Sequence, residues 1–224
     1  MKSDGKRRKS WGDTTSPHLS LLHLHFNLDF RIVIKDINTE ALDTLTGELA
    51  RESAIAPHKV YFDFLKSALA TKAHLNAALR RLPYIPPSAI KLFIFPFVQI
   101  MGLTCNVYDM NIIDKKVYTI QKLASFNYPS TNREVKNGGV KALIDAFGLV
   151  ESMINNIDTM LTEYNKTTSS KMDNIKKGQK NASKEKIINI DEYISAVKSY
   201  FDSDLTFETN EKEDENEDST DEEI

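Results

Sequence analysis

The chain has 224 residues, 41% of them hydrophobic and 27% charged, with a formal net charge of −3 and one cysteine. That length suits a single domain of roughly 150 residues with appendages. Cys105 alone excludes an intramolecular disulfide and a four-cysteine zinc site, and it points to a reducing compartment. The greasiest run, Leu92–Leu103 (LFIFPFVQIMGL), falls short of the ~18 residues of a spanning helix and contains Pro96, Gln99 and Gly102.

Charge comes in blocks. Residues 1–18 carry five basic and two acidic side chains, and MKSDGKRRKSWGD lacks the apolar stretch of a secretory signal. Residues 166–186 hold seven lysines against Asp173 and Glu185; residues 203–224 hold eleven acidic side chains against Lys212 alone. A nearly neutral middle between strongly signed ends predicts a globular domain over 19–165, after a disordered basic arm over 1–18. A lysine-rich linker (166–186), a short amphipathic helix (187–203) and a disordered acidic tail (204–224) complete the expected layout.

In chain order, residues 22–35 alternate apolar and polar side chains and predict one long β-strand with a buried face. Asn38 or Thr39 offers an N-cap, and Ala41, Leu42, Leu45 and Leu49 recur at helical spacing up to Glu52. Pro57 opens a longer helix through Leu82, closed by Pro83. After the stiff connector at 83–89, Phe97–Val107 and Val117–Phe126 read as strands around a hairpin at Asp114-Lys115-Lys116. Asn137-Gly138-Gly139 then precedes the strongest helix. Its stripe is Val140, Leu143, Ile144, Phe147, Val150, Ile154, Ile157, Leu161 and Tyr164, widened by Met153 and Met160. The order β-α-α-β-β(-β)-α predicts an α+β two-layer sandwich, an antiparallel or mixed sheet of three or four strands with helices on one face.

No sequence motif for a nucleotide, a nucleophilic serine or a metalloprotease zinc occurs, so neither an enzyme nor a cofactor is expected. His23 and His25, with Asn27, Asp29 and Arg31, would line the polar side of the first strand. An H-x-H pair there can supply two metal ligands, but His18, His58 and His74 offer no third at telling spacing, which favours a solvated or partner-facing face. Gly138-Gly139-Val140-Lys141 can expose amides to an anion, though glycines more often permit a tight turn. Cys105 alternates into its strand's apolar side and reads as a core thiol.

Lys6-Arg7-Arg8-Lys9 is a basic run of the kind nuclear import receptors read, and it also suits nucleic-acid phosphate. Ser10 sits in a basic-directed kinase context, Ser219 and Thr220 in an acid-directed one. Neither lysine-rich segment interleaves aromatics, which argues against base-specific recognition. Ile190, Ile194, Val197 and Phe201 have the i, i+4, i+7, i+11 spacing of a helix that docks in a partner's groove, or back onto its own domain. These features together predict a non-catalytic protein-interaction subunit of a nuclear assembly. A nucleic-acid-associated subunit and a lipid- or small-ligand-binding cup are the alternatives.

Overall fold

The computed structural model describes residues 6–25, 27–35, 41–51, 56–176 and 188–197. Six strands form one sheet in simple sequence order: β1 (Lys6–Thr14), β2 (Leu28–Lys35), β3 (Leu42–Ala50), β4 (Phe95–Met101), β5 (Thr104–Asp114) and β6 (Val117–Asn127). Neighbours pair antiparallel except β3 and β4, which run parallel because α2 (Pro57–Arg80) carries the chain back between them. Short helices α1 (Pro17–Leu21), α3 (Pro87–Ile90) and α4 (Asn132–Lys136) turn corners, and α5 (Gly139–Lys176) follows the last strand.

The α+β architecture with a mixed sheet is as expected. The sheet is wider than expected, and its centre is covered on both faces. Gln99 donates to the carbonyl of Val60 in α2, whereas its neighbour Val98 packs with Val150 and Ile154 of α5. Alternation along β4 therefore points successive side chains at different helices. The main core joins Leu75 and Leu79 of α2, Ile85 and Phe93 of the connector, Phe95 and Phe97 of β4, and Ile157 and Leu161 of α5. Phe93, Phe95 and Phe97 are wholly buried, so the greasy 92–103 run is core in its first half.

The expected helix over Ala41–Glu52 is overturned: residues 42–50 are strand β3. Leu42, Leu45 and Leu49 imitate helical spacing because the side of β3 facing α2 is polar instead of apolar. Asp43 lies 3.5 Å from His74, Thr46 bonds Thr71 at 3.1 Å, and Glu48 pairs with Lys66 at 2.6 Å, all on α2. Asp43 joins Thr46 and Glu48 on that side because consecutive β2 residues, Ile32 and Val33, pair with Leu45 and Asp43, which leaves Thr44 as an extra, bulged residue.

The expected strand from Leu22 begins only at Leu28. Pro17 starts α1 instead, and His23, at φ 56°, closes it in the left-handed region. The amides of His23 and Leu24 bond the carbonyls of Ser20 and Leu19, and the Leu19 and Leu24 side chains meet in a small buried cluster. That is the hydrogen-bond pattern and apolar contact of a Schellman helix ending. The expected free basic arm is also corrected, since Lys6–Thr14 is an edge strand paired from Lys6↔Lys35 to Thr14↔Leu28. Residues 166–176, assigned to the linker, continue α5.

Gly47 faces Phe30 across the β2–β3 pair, and a Cβ at Gly47 would collide with the tip of the Phe30 ring. Gly47→Ala is expected to drive that ring aside at a cost of about 1–3 kcal/mol. A shift in urea midpoint checks this, and an unchanged midpoint refutes it.

Candidate functional site

Two buried polar systems lie between β3 and α2. In the first, Ser16 Oγ donates to Asp43 Oδ2 at 2.6 Å and lies 2.9 Å from His74 Nε2; Arg31 bonds the other Asp43 oxygen at 3.0 Å. Serine, histidine and aspartate thus meet, but not in nucleophile order. Asp43 and Ser16 share the same imidazole nitrogen, the serine hydroxyl donates its hydrogen bond to the carboxylate, and Ser16, Asp43 and His74 are each at most 1% exposed. Burial pushes the His74 ring down to about 4, against the pull of Asp43, so at neutral pH it is uncharged. The set is suited to fixing β3 and α1 against α2.

In the second system Glu48, beside Lys66, is pushed up to about 8 by burial, with the Lys66 ammonium pulling the other way. Asp63 pairs with Lys59 one turn before it on α2. Among the described residues no group of three His, Cys, Asp or Glu side chains is placed to hold a metal ion.

The structure separates the polar row predicted on one strand. His23 and His25 are exposed in the loop before β2, with ring centroids 6.5 Å apart. Asn27 accepts from Thr15, Asp29 accepts the Leu49 amide at 2.6 Å, and Arg31 turns inward to Asp43 and Thr14. Those five residues make no common face. Cys105 is a core thiol, wholly buried, and burial pushes it up to about 12. Gly138, at φ 91°, and Gly139, whose Cβ would meet the Glu134 carbonyl at 2.9 Å, are needed for the turn between α4 and α5.

The partner-groove reading of the C-terminal anchors is corrected as well. Residues 190–192 form one 3-10 turn, not a helix, and the segment lies on its own domain. Ile190 and Ile194 are buried in the main core, and Val197 packs on the Leu19–Leu24 cluster. Asn76 donates to the Ser195 carbonyl at 2.9 Å, the Tyr118 hydroxyl donates to Asn76 at 2.7 Å, and the Ser195 amide donates to that hydroxyl at 3.0 Å. Phe201, Ser219, Thr220 and the acidic tail lie outside the described residues. Of Lys6, Arg7, Arg8, Lys9 and Ser10 only the backbone pairing of β1 is described.

Exposed apolar side chains occur on several elements, Tyr61 of α2 and Leu92 of the connector among them, and one group of them lies on α5. Its 38 residues are about 57 Å long, whereas six strands are only about 24 Å across. The buried line from Ala146 through Val150, Ile154 and Ile157 to Leu161 matches that width. Val140, Ile144 and Phe147 fall on one flank, roughly a quarter-turn or more from that line, and are 42%, 63% and 43% exposed. Beside this flank, Phe147 and Val150 close a groove over Phe30, Ile32, Leu45 and Val98 of the sheet, with a volume of about 160 Å³. That is smaller than the ~300 Å³ from which drug-sized ligand pockets begin, and it is the size of an inserted apolar side chain. The stripe of α5 was legible in the sequence; its excess width over what one sheet face can bury was the missed signal.

Among the described residues no helix is long and apolar enough to cross a membrane. Neither a family model, nor a curated protein, nor a solved structure matches the chain.

Proposed function

We propose that this chain is a non-catalytic protein-interaction subunit whose docking face is the exposed flank of α5 with the groove beside it. One observation carries the reading: Val140, Ile144 and Phe147 form a contiguous apolar flank on one helix, next to a slot floored by Phe30 and Ile32. Scattered surface apolar residues are ordinary; a joined patch beside a slot of side-chain size is the signature of a protein contact. Placement of the assembly in the nucleus rests on Lys6-Arg7-Arg8-Lys9 alone.

The test is gel filtration of nuclear and cytosolic extracts from cells that express the full chain. The wild type is expected in the nuclear extract at a mass well above its own 25.4 kDa. Ile144→Glu, at the most exposed position of the flank, is expected to move it to monomer size with an unchanged circular-dichroism spectrum. Elution of the wild type as a monomer, or a complex indifferent to Ile144→Glu, overturns the reading.

A further inference from the structure

We infer that the occupant of the α5 flank is a second copy of the same chain, packed with its α5 antiparallel to the first; the inference rests on the docking reading above. Two features of the exposed seam carry it. The first is Gly148, which lies inside the helix at a site where an added Cβ would touch nothing within 4 Å. Glycine weakens a helix interior, and no turn, positive φ or close neighbour within the chain requires it here. A glycine with open space above it is the notch that lets another helix come close.

The second feature is the order of residues along the seam. Lys141, Ile144, Gly148 and Glu151 follow one another at spacings of three, four and three, the spacing at which two helices meet along a line. In an antiparallel pair centred on residue 146, Ile144 of each copy falls opposite Gly148 of the other. Lys141 of each, which within its own helix also meets Asp145 in an exposed pair at 2.6 Å, then falls opposite Glu151 of the other. The most exposed apolar side chain of the flank thus meets the notch, and unlike charges close both ends. A parallel pair would instead set Ile144 on Ile144, leave the two notches facing each other and stack like charges. Val140 and Phe147 sit beside the seam and widen the apolar contact.

The test is sedimentation equilibrium of the purified full-length protein, read against its variants. The wild type is expected to be a dimer at micromolar concentration. Lys141→Glu and Glu151→Lys are each expected to weaken self-association at least tenfold, and the double exchange to restore it. Gly148→Leu fills only open space in the single chain, so it is expected to keep or raise the melting temperature while abolishing the dimer. A monomeric wild type overturns the second-copy assignment. If the extract complex still depends on Ile144 in that case, the docking reading survives with a different partner; if both measurements give a monomer, both fail. A dimer indifferent to the charge exchange and to Gly148→Leu overturns the seam.

Discussion

A chain ending at residue 186 is expected to lose its cooperative melting transition, although the segment removed contains only one 3-10 turn among its described residues. Ile190 and Ile194 are 8% and 4% exposed and belong to the main core with Leu75, Leu79 and Ile85. Truncating a buried isoleucine to alanine costs about 2–5 kcal/mol, and removing two whole side chains costs at least as much. The deletion also strips the Ser195 carbonyl from Asn76 and the Ser195 amide from the Tyr118 hydroxyl. A buried polar group left unsatisfied adds about 1–3 kcal/mol. The sum is of the order of a small domain's entire stability, about 5–15 kcal/mol.

The double variant Ile190→Ala/Ile194→Ala, which keeps the polar contacts of the segment, is expected to lose about 4–8 kcal/mol in urea denaturation. Glu192→Ala breaks the pair with Lys115, both partners being about half exposed, and is expected to shift the urea midpoint far less than the double isoleucine variant does. A truncated chain that melts within a few degrees of the full one would sink this account. The same arithmetic bears on binding experiments: a partner lost on truncation at 186 reports unfolding of the core before it reports a docking arm.

The physics behind the sequence pattern explains what was legible. Where an element buries an apolar face against an apolar neighbour, periodicity finds it: α2, the turn at Asp114-Lys115-Lys116 and α5 lie close to where the pattern puts them, whereas the strand expected over Phe97–Val107 divides at Gly102, φ 60°, into β4 and β5. Strand β3 escaped because its α2-facing side chains are Asp43, Thr46 and Glu48, which are buried through partners 18 to 31 residues away that no local pattern reveals. The first strand was overextended because Leu22 to Asn27 alternate by chance while His23 accepts a left-handed conformation that closes α1. Ile190 and Ile194 have spacing that fits a groove in any protein, and only the fold shows that the groove is this chain's own. The exposed flank of α5 was visible as three apolar residues too many. Which of them the sheet would leave uncovered depends on where a helix of about 57 Å crosses a sheet of about 24 Å, a tertiary fact.

The stability of the wild type is expected to change little between about pH 6.5 and 4.5, because two buried groups titrate there with opposite sign. His74 is held down near 4 in the folded chain, against an ordinary 6.5, so the unfolded chain binds its proton more readily. Its contribution is complete above pH 6.5 and is lost as pH falls towards 4, by about 3 kcal/mol. Glu48 is held up near 8, against an ordinary 4.5, chiefly by burial, so the folded chain binds its proton more readily. That contribution is complete below pH 4.5 and is lost as pH rises through 8. Removing either group therefore exposes the slope of the other. Glu48→Gln keeps the shape of the neutral acid and is expected to leave a chain that weakens steadily from pH 6.5 to 4. His74→Gln is expected to weaken the chain at neutral pH and to leave one that strengthens as pH falls from 8 to 4.5. Urea midpoints of the three proteins across that range decide the matter. Parallel curves would mean that neither group is held away from its ordinary value, and the polar ladder between β3 and α2 would then have to be open to water.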